Sequence, residues 1–197
     1  SKTINMARAN WDTGYFHAEI YKIGLEKLGY EIPKLKDVKP GVFYVAAAAG
    51  DIDLWVNGWV KTQANYIDET KGKVIPVGYV AKQGGLQGYL IDKKSADKFN
   101  IKSVLDIKKH AKAFDANGDG KADMVACPPG WGCEKVITGH FNELKLGEFI
   151  NPIKAEYSAS LADAISRYKN GGSILYYTWA PNWICLLYTS PSPRDCQ

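Results

Sequence analysis

One seven-residue stretch constrains the fold of this chain more than any other. From Cys127 to Cys133 it reads Cys-Pro-Pro-Gly-Trp-Gly-Cys, and a helical pattern follows directly. The N–H groups of Gly132 and Cys133 would be free at the positive end of that helix, where proteins bind anions. Trp131 beside them offers a π-face, the preferred partner of an organic cation. The stretch therefore has groups for both ends of a zwitterion, although a disulfide-closed turn around a packed Trp explains it equally well.

The composition narrows the class of protein. The chain has 197 residues, of which 46% are hydrophobic and 23% charged, so it could form one domain or two small lobes. Its formal charge of +4 comes from 25 basic and 21 acidic residues that are scattered without a Lys/Arg block, which argues against a nucleic-acid partner. No apolar run is long enough to span a bilayer. Six Trp and 12 Tyr against 6 Phe favour partly wet binding surfaces.

The four cysteines are a clue to the compartment. Cys127 and Cys133 flank Pro-Pro-Gly and could close a small disulfide loop, which would favour an oxidising compartment. Two cysteines alone could not hold zinc, and no His stands at ligand spacing nearby. A reduced, buried pair is the alternative.

The first half of the chain alternates between predicted strands and helices. Strands are predicted over residues 3–9, 30–35 and 53–57, with a small buried helix over 42–49. Another helix follows the first strand, and one of its faces carries four apolar residues: Phe16, Ile20, Ile23 and Leu28. Trp11 and Trp59 each follow a strand at its carboxyl end, which is where open α/β sheets bind ligands.

A second α/β series follows a Gly-rich joint. Residues 73–80 and 88–92 are predicted to be extended, and residues 83–85 between them are a candidate crossover between lobes. Ser103 caps the next predicted helix, Ser158 or Ser160 begins a later one, and a strand is predicted over 174–178. Trp179 follows that strand at its carboxyl end.

One acidic turn matches the first part of a calcium loop. Asp115, Asn117, Asp119 and Asp123 have the required spacing, but Ala126 stands at the twelfth position, where a bidentate Glu is expected. A structural Ca²⁺ and a turn of solvated carboxylates are equally good interpretations.

The last stretch departs from the pattern of the rest. Residues 185–197 have two prolines and no amphipathic period, as is typical of a read-through or adapter-derived tail. We expect this tail to be non-native.

Several runs are similar to one family, the glycine betaine/proline betaine substrate-binding proteins of ABC transporters. These runs are residues 87–97, 114–123, 127–134 and 165–169, together with 176–179. The resemblance implies an α/β, two-lobed periplasmic-binding-protein (Venus-flytrap) fold that is incomplete at its C-terminus. It places part of the first lobe at residues 1–86 and the second lobe at 87–184.

The resemblance also implies a binding site. Three tryptophans, Trp59, Trp131 and Trp179, would form a box around a quaternary ammonium. Backbone N–H groups of Gly132 and Cys133 would hold the ligand carboxylate, and Cys127 would pair with Cys133 in a disulfide.

Two positions depart from the family. Gln63 stands where the family has a carboxylate-binding histidine, so a hydrogen-bond donor is kept while the positive charge is lost. Trp11 has no clear counterpart, and we expect it to close the box from a fourth side.

The function implied is capture of glycine betaine or a related zwitterion and its delivery to an ABC permease. The resemblance implies no catalysis, no nucleic acid, no cofactor beyond the Ca²⁺ that the acidic turn suggests, and a periplasmic or otherwise extracytoplasmic, membrane-associated location. Cys133 and His140 do not suggest an enzyme, because seven residues of helix separate them by roughly 10 Å. A calcium-dependent interaction module and a receptor fused to a sensor or permease are the alternatives.

Overall fold

The chain divides into two compact units, residues 1–83 and 84–197. The computed structural model describes residues 2–82 and 84–185, and each unit is described by itself. The predicted tail therefore lies outside the described residues except for Cys185. No helix of the described ranges is long and apolar enough to cross a membrane.

The first unit is built on a parallel sheet. Its strands are β1 (Lys2–Thr3), β2 (Met6–Ala9), β3 (Tyr30–Glu31), β4 (Lys36–Val38) and β5 (Leu54–Trp55); its helices are α1 (Asp12–Lys27), α2 (Pro40–Ala49) and α3 (Ala64–Glu69). The sheet order is β4–β2–β5, and β1 and β3 form a separate parallel pair. Because β2 and β5 are parallel neighbours, the loops after them lie at the same edge of the sheet.

Helix α1 packs on the sheet through small residues. Gly14 and Ala18 are its buried positions, and a Cβ added at Gly14 would lie 2.7 Å from both the Cβ and the carbonyl oxygen of Ala9 at the end of β2. The apolar face that the sequence indicated is exposed instead, with Phe16 at 64% and Leu28 at 76%. The close approach of the backbones decides which face is buried, because position 14 has no room for a Cβ.

The second unit contains the longer sheet. Its strands are β6 (Leu86–Ile91), β7 (Ala122–Val125), β8 (Ile150–Ile153) and β9 (Leu175–Ala180); its helices are α4 (Lys93–Phe99), α5 (Ile107–His110), α6 (Gly132–Glu143) and α7 (Tyr157–Lys169). The order is β6–β9–β7–β8, in which β7 is parallel to both of its neighbours and β6 runs antiparallel to β9. The carboxyl ends of β7 and β9 therefore lie side by side.

A buried carboxylate ties α4 to this sheet. Asp92 is 1% exposed, and its two oxygens accept the N–H of Ser95, at 2.8 Å, and the N–H of Ile174, at 3.0 Å. One side chain thus caps α4 and fixes the entry to β9, satisfying its charge with backbone donors.

Several predicted elements differ in extent. The predicted strand over 30–35 is only two residues long, residues 73–80 form no strand, and β4, β7 and β8 were missed. Trp179 lies inside β9 rather than after it. The predicted cap at Ser103 is present, as a capping box with Asp106. Helix α7 is capped by neither predicted serine but by the carboxylate of Glu156, which accepts two N–H groups.

Candidate functional site

Two predicted site residues of the first unit share one hydrogen-bond acceptor. The indole N–H groups of Trp11 and Trp59 both donate to the side-chain oxygen of Asn57, each at 2.9 Å. Trp11 caps α1 just after β2, and Trp59 follows β5, so the sheet places both at one edge. Trp11 is 5% exposed and Trp59 is half-buried. We call Trp11, Asn57 and Trp59 the N-terminal aromatic cluster.

Gln63 lies one turn after this cluster at the start of α3. It is 1% exposed, and its amide oxygen accepts the hydroxyl of Tyr44 at 3.0 Å. Burial raises the pKa of Tyr44 to about 12, so this hydroxyl stays protonated and donates. The ring of Tyr44 also stacks on that of Tyr66. Tyr44 takes one lone pair of the Gln63 oxygen, and the groups that Gln63 can offer to an anion are its amide N–H donors.

The second unit brings Trp131 and Trp179 together. Their ring centroids are 5.8 Å apart at 77°, which is an edge-to-face arrangement. Tyr157 packs against both, with centroids 5.6 Å from Trp131 and 5.1 Å from Trp179, and its hydroxyl donates to the carbonyl of Tyr177 at 2.8 Å. We call Trp131, Tyr157 and Trp179 the C-terminal aromatic cluster. Trp131 follows β7 and Trp179 is the second-to-last residue of β9, and these two strands are parallel neighbours.

The predicted anion-binding site, at the N-terminus of α6, adjoins this cluster. Helix α6 begins at Gly132, with Trp131 as its N-cap. The N–H groups of Gly132 and Cys133 have no hydrogen-bond partner among the described residues. Cys127 and Cys133 form the predicted disulfide, with their Cα atoms 6.0 Å apart.

The acidic residue nearest to this helix start is itself neutralised. The carboxylate of Glu134 pairs with Lys154 at 2.8 Å, and this contact lowers the pKa of Glu134. The first turn of α6 is therefore not left with an unpaired negative charge of its own that would repel an anion.

Two tyrosines of β6 and β9 line the sheet near the C-terminal aromatic cluster. The hydroxyl of Tyr177 donates to the side-chain oxygen of Gln87 at 2.7 Å, and burial raises the pKa of Tyr177. Tyr89 is hydrogen-bonded to Nδ1 of His140 at 2.9 Å, and burial raises the pKa of Tyr89 to about 12. His140 is thus paired with a phenol.

The acidic turn folds on its own backbone. Asp115 accepts the N–H groups of Gly118 and Gly120, and Asp119 accepts that of Lys121. Backbone N–H groups and Asn151 lower the pKa of Asp119. In the described ranges there is no group of three or more His, Cys, Asp or Glu placed to hold a metal ion.

The predicted site residues thus fall into two groups. The first unit holds Trp11, Trp59 and Gln63, and the second holds Trp131, Gly132, Cys133 and Trp179. Sequence reasoning missed Asn57, Tyr44 and Tyr157. The Val-Asn-Gly run after a strand, which favours a left-handed turn, was the signal available for Asn57.

Two solved structures share the fold of this chain. The glycine betaine, L-proline-binding protein ProX of Borrelia burgdorferi superposes with a TM-score of 0.80 at 24% identity, over 95% of this chain and 66% of that one. Lactococcal OpuAC, in its closed-liganded conformation with glycine betaine, gives 0.78 at 18% identity, over 95% and 68%. The fold is that of the binding proteins of ABC transporters, which confirms the predicted α/β fold class.

The family follows from the sequence comparisons. Residues 2–189 match the substrate binding domain of the ABC-type glycine betaine transport system, and the chain belongs to this family. It is 39% identical to the glycine betaine/proline betaine-binding periplasmic protein of Escherichia coli over 92% of its own length and 56% of that protein's. The Salmonella typhimurium protein of the same description is 40% identical over 86% and 52%. The chain spans about half the length of the curated relatives it matches.

Proposed function

We propose that this protein is a non-catalytic, extracytoplasmic solute-binding protein that captures glycine betaine or a related quaternary-ammonium zwitterion and delivers it to an ABC permease. One observation supports this most directly: two indoles 5.8 Å apart adjoin two N–H groups at a helix start that have no partner within residues 2–82 and 84–185. The disulfide is consistent with an oxidising compartment, and the curated relatives are periplasmic.

The chemistry of a betaine matches these groups. A quaternary ammonium has no N–H to donate, so it needs no acceptor, and aromatic faces attract it by about 2 kcal/mol per desolvated contact. The carboxylate suits the N–H groups of Gly132 and Cys133 at the positive end of α6. Within the second unit we assign a quaternary ammonium to Trp131 and Trp179, and within the first unit we assign such a cation to Trp59 and Trp11.

Gln63 of the first unit is proposed to donate hydrogen bonds to a ligand carboxylate. Its amide N–H groups are neutral donors, so the grip on an anion is weaker than a protonated histidine would give. This makes the affinity at this position independent of pH in the range where histidine titrates.

A methylation series tests the proposal. Calorimetric titration with glycine, sarcosine, dimethylglycine and glycine betaine should show affinity rising with each methyl group, because each one removes a donor that an aromatic box leaves unsatisfied. Equal affinity for glycine and glycine betaine would contradict a box of this kind. Choline, carnitine and proline betaine then rank the ligands that carry the same cation.

A structural Ca²⁺ in the turn of Asp115, Asn117, Asp119 and Asp123 stays a prediction. Thermal unfolding in excess CaCl₂ and in EGTA tests it, since an ion that binds the folded state alone raises Tm.

A further inference from the structure

The hydrogen bonds of the N-terminal aromatic cluster converge on one side chain, that of Asn57. Asn57 follows β5, is 8% exposed, and has a left-handed backbone with a φ of 65°. Asn is among the few residues other than Gly that adopt this conformation readily. The side-chain amide is hydrogen-bonded to three groups: the indoles of Trp11 and Trp59 and the ring of His17.

The orientation of this amide is fixed by its partners. An indole N–H can only donate, so the Asn57 atom that faces both Trp11 and Trp59 must be the oxygen. Both lone pairs of that oxygen are then in use. The amide nitrogen consequently faces Nδ1 of His17, at 2.6 Å.

The same logic fixes the tautomer of His17. Because the Asn57 nitrogen donates, Nδ1 of His17 must accept, and the ring proton must be on Nε2. Burial lowers the pKa of His17 from its ordinary value of 6.5, which favours this neutral form. Helix α1 thus supplies both His17 and the Trp11 cap, while Asn57 and Trp59 come from the loop after β5.

We propose that Asn57 is the positioning residue of the ligand box in the first unit: its amide holds the indoles of Trp11 and Trp59 in one relative orientation, and His17 holds the amide. The inference rests on the proposed function, in which those two indoles contact the cation. Cation–π attraction depends on where the cation sits over the ring, so an indole that is free to rotate contributes less to binding.

Three substitutions distinguish the effect of the Asn57 amide on binding from the effect of its left-handed backbone turn. Asn57→Gly removes the shared acceptor and keeps the left-handed turn without strain. Asn57→Asp keeps the oxygen that accepts both indoles, and its second oxygen, in the place of the amide nitrogen, is expected to draw the proton of His17 to Nδ1. Asn100→Gly is the matched control, because Asn100 of the second unit also has a left-handed backbone, with a φ of 51°, and is exposed.

Calorimetry with glycine betaine on the 197-residue chain measures the effect on binding. Asn57→Gly should weaken binding about 10- to 30-fold, which corresponds to two lost hydrogen bonds. Asn57→Asp should stay within about threefold of wild type, and Asn100→Gly should bind as wild type does. Wild-type affinity in Asn57→Gly, or an equal loss in Asn57→Asp and Asn57→Gly, would overturn the proposal.

Nuclear magnetic resonance of the ligand-free protein gives an independent readout. Nitrogen shifts of the His17 ring should show the Nε2–H tautomer in wild type, and the pKa of His17 should rise above 6.5 in Asn57→Asp. The indole N–H groups of Trp11 and Trp59 should exchange faster with solvent in Asn57→Gly. A proton on Nδ1 in wild type, or unchanged indole exchange, would refute the positioning role even if glycine betaine did not bind. Absent binding with the expected spectra would contradict the proposed function instead.

Discussion

Replacing Trp131 by Leu should separate the contribution of its π-face to binding from its contribution to folding. Trp131 is 6% exposed and packs against both Tyr157 and Trp179. Leu keeps an apolar side chain in this space but has no aromatic face. Loss of one desolvated cation–π contact, about 2 kcal/mol, corresponds to about 30-fold weaker binding of glycine betaine.

The cost to stability must be measured in parallel. Shortening a buried aromatic to Leu leaves a partial cavity, and we expect Trp131→Leu to lower the free energy of unfolding by about 1–3 kcal/mol. Phe114→Leu is the matched control, because Phe114 is a fully buried aromatic of the same unit outside both aromatic clusters. It should cost a similar amount of stability and leave the affinity unchanged.

Isothermal calorimetry and urea unfolding on wild type, Trp131→Leu, Trp131→Phe and Phe114→Leu complete the test. The Phe variant keeps a smaller π-face and should bind with intermediate affinity. The reasoning fails if Trp131→Leu binds glycine betaine as tightly as Phe114→Leu does. It also fails if the Leu and Phe variants lose affinity equally, since the volume of the side chain would then matter rather than its π-face.

Three further predictions concern the proposed carboxylate-binding residue Gln63, the disulfide of the second unit and helix α1 of the first unit. Gln63→Leu should weaken glycine betaine about tenfold and leave choline, which has no carboxylate, unchanged in calorimetry; a loss for both ligands would assign Gln63 to packing. Replacing both cysteines of the 127–133 disulfide by Ser should lower the free energy of unfolding by about 2 kcal/mol, as expected for so short a loop, and an unchanged urea midpoint would contradict this. In α1, Gly14→Ala should destabilise the chain by about 1–3 kcal/mol because its Cβ meets Ala9. Gly24→Ala, with no atom within 4 Å of its Cβ, should stabilise the chain by about 0.5–1 kcal/mol. Thermal unfolding that ranks the two variants in the opposite order would refute the packing of α1 on β2.

The features that the sequence predicted well are local. A Trp between glycines at a helix start, with cysteines six residues apart, leaves few arrangements, and the structure has the predicted disulfide and the helix beginning at Gly132. Trp11 and Trp59 lie after strands for the same reason, because a β-strand followed by Gly or a polar turn fixes where the chain leaves the sheet. Trp179, which is part of β9, shows the usual error of one or two residues at a strand end.

The features that the sequence did not predict depend on contacts between elements. In α1 the apolar period indicated one face, but the sheet selects the opposite one because Gly14 permits a backbone contact that no apolar side chain could make. The missed strand β4 is only three residues long, too short for an alternation to appear. The amide of Asn57 gives no signal in the sequence beyond a favoured turn, since two of its three partners are 40 and 46 residues away.

Both aromatic clusters contain a hydrogen-bonded polar side chain that orients the tryptophan rings, but that side chain differs between the two clusters. In the first unit a neutral amide consumes both indole N–H groups of Trp11 and Trp59, so that these rings can offer a ligand only their faces. In the second unit the phenol of Tyr157 is held by a backbone carbonyl, and its ring fixes the angle between Trp131 and Trp179. An aromatic face without acceptors discriminates against any ammonium that still has N–H groups, because N–H groups that give up their hydrogen bonds to water find no acceptor there. If the two clusters bind the ligand as proposed, selectivity for a fully methylated cation depends on the polar groups that orient the rings, and it should be lost when Asn57 or Tyr157 is replaced even though every Trp remains.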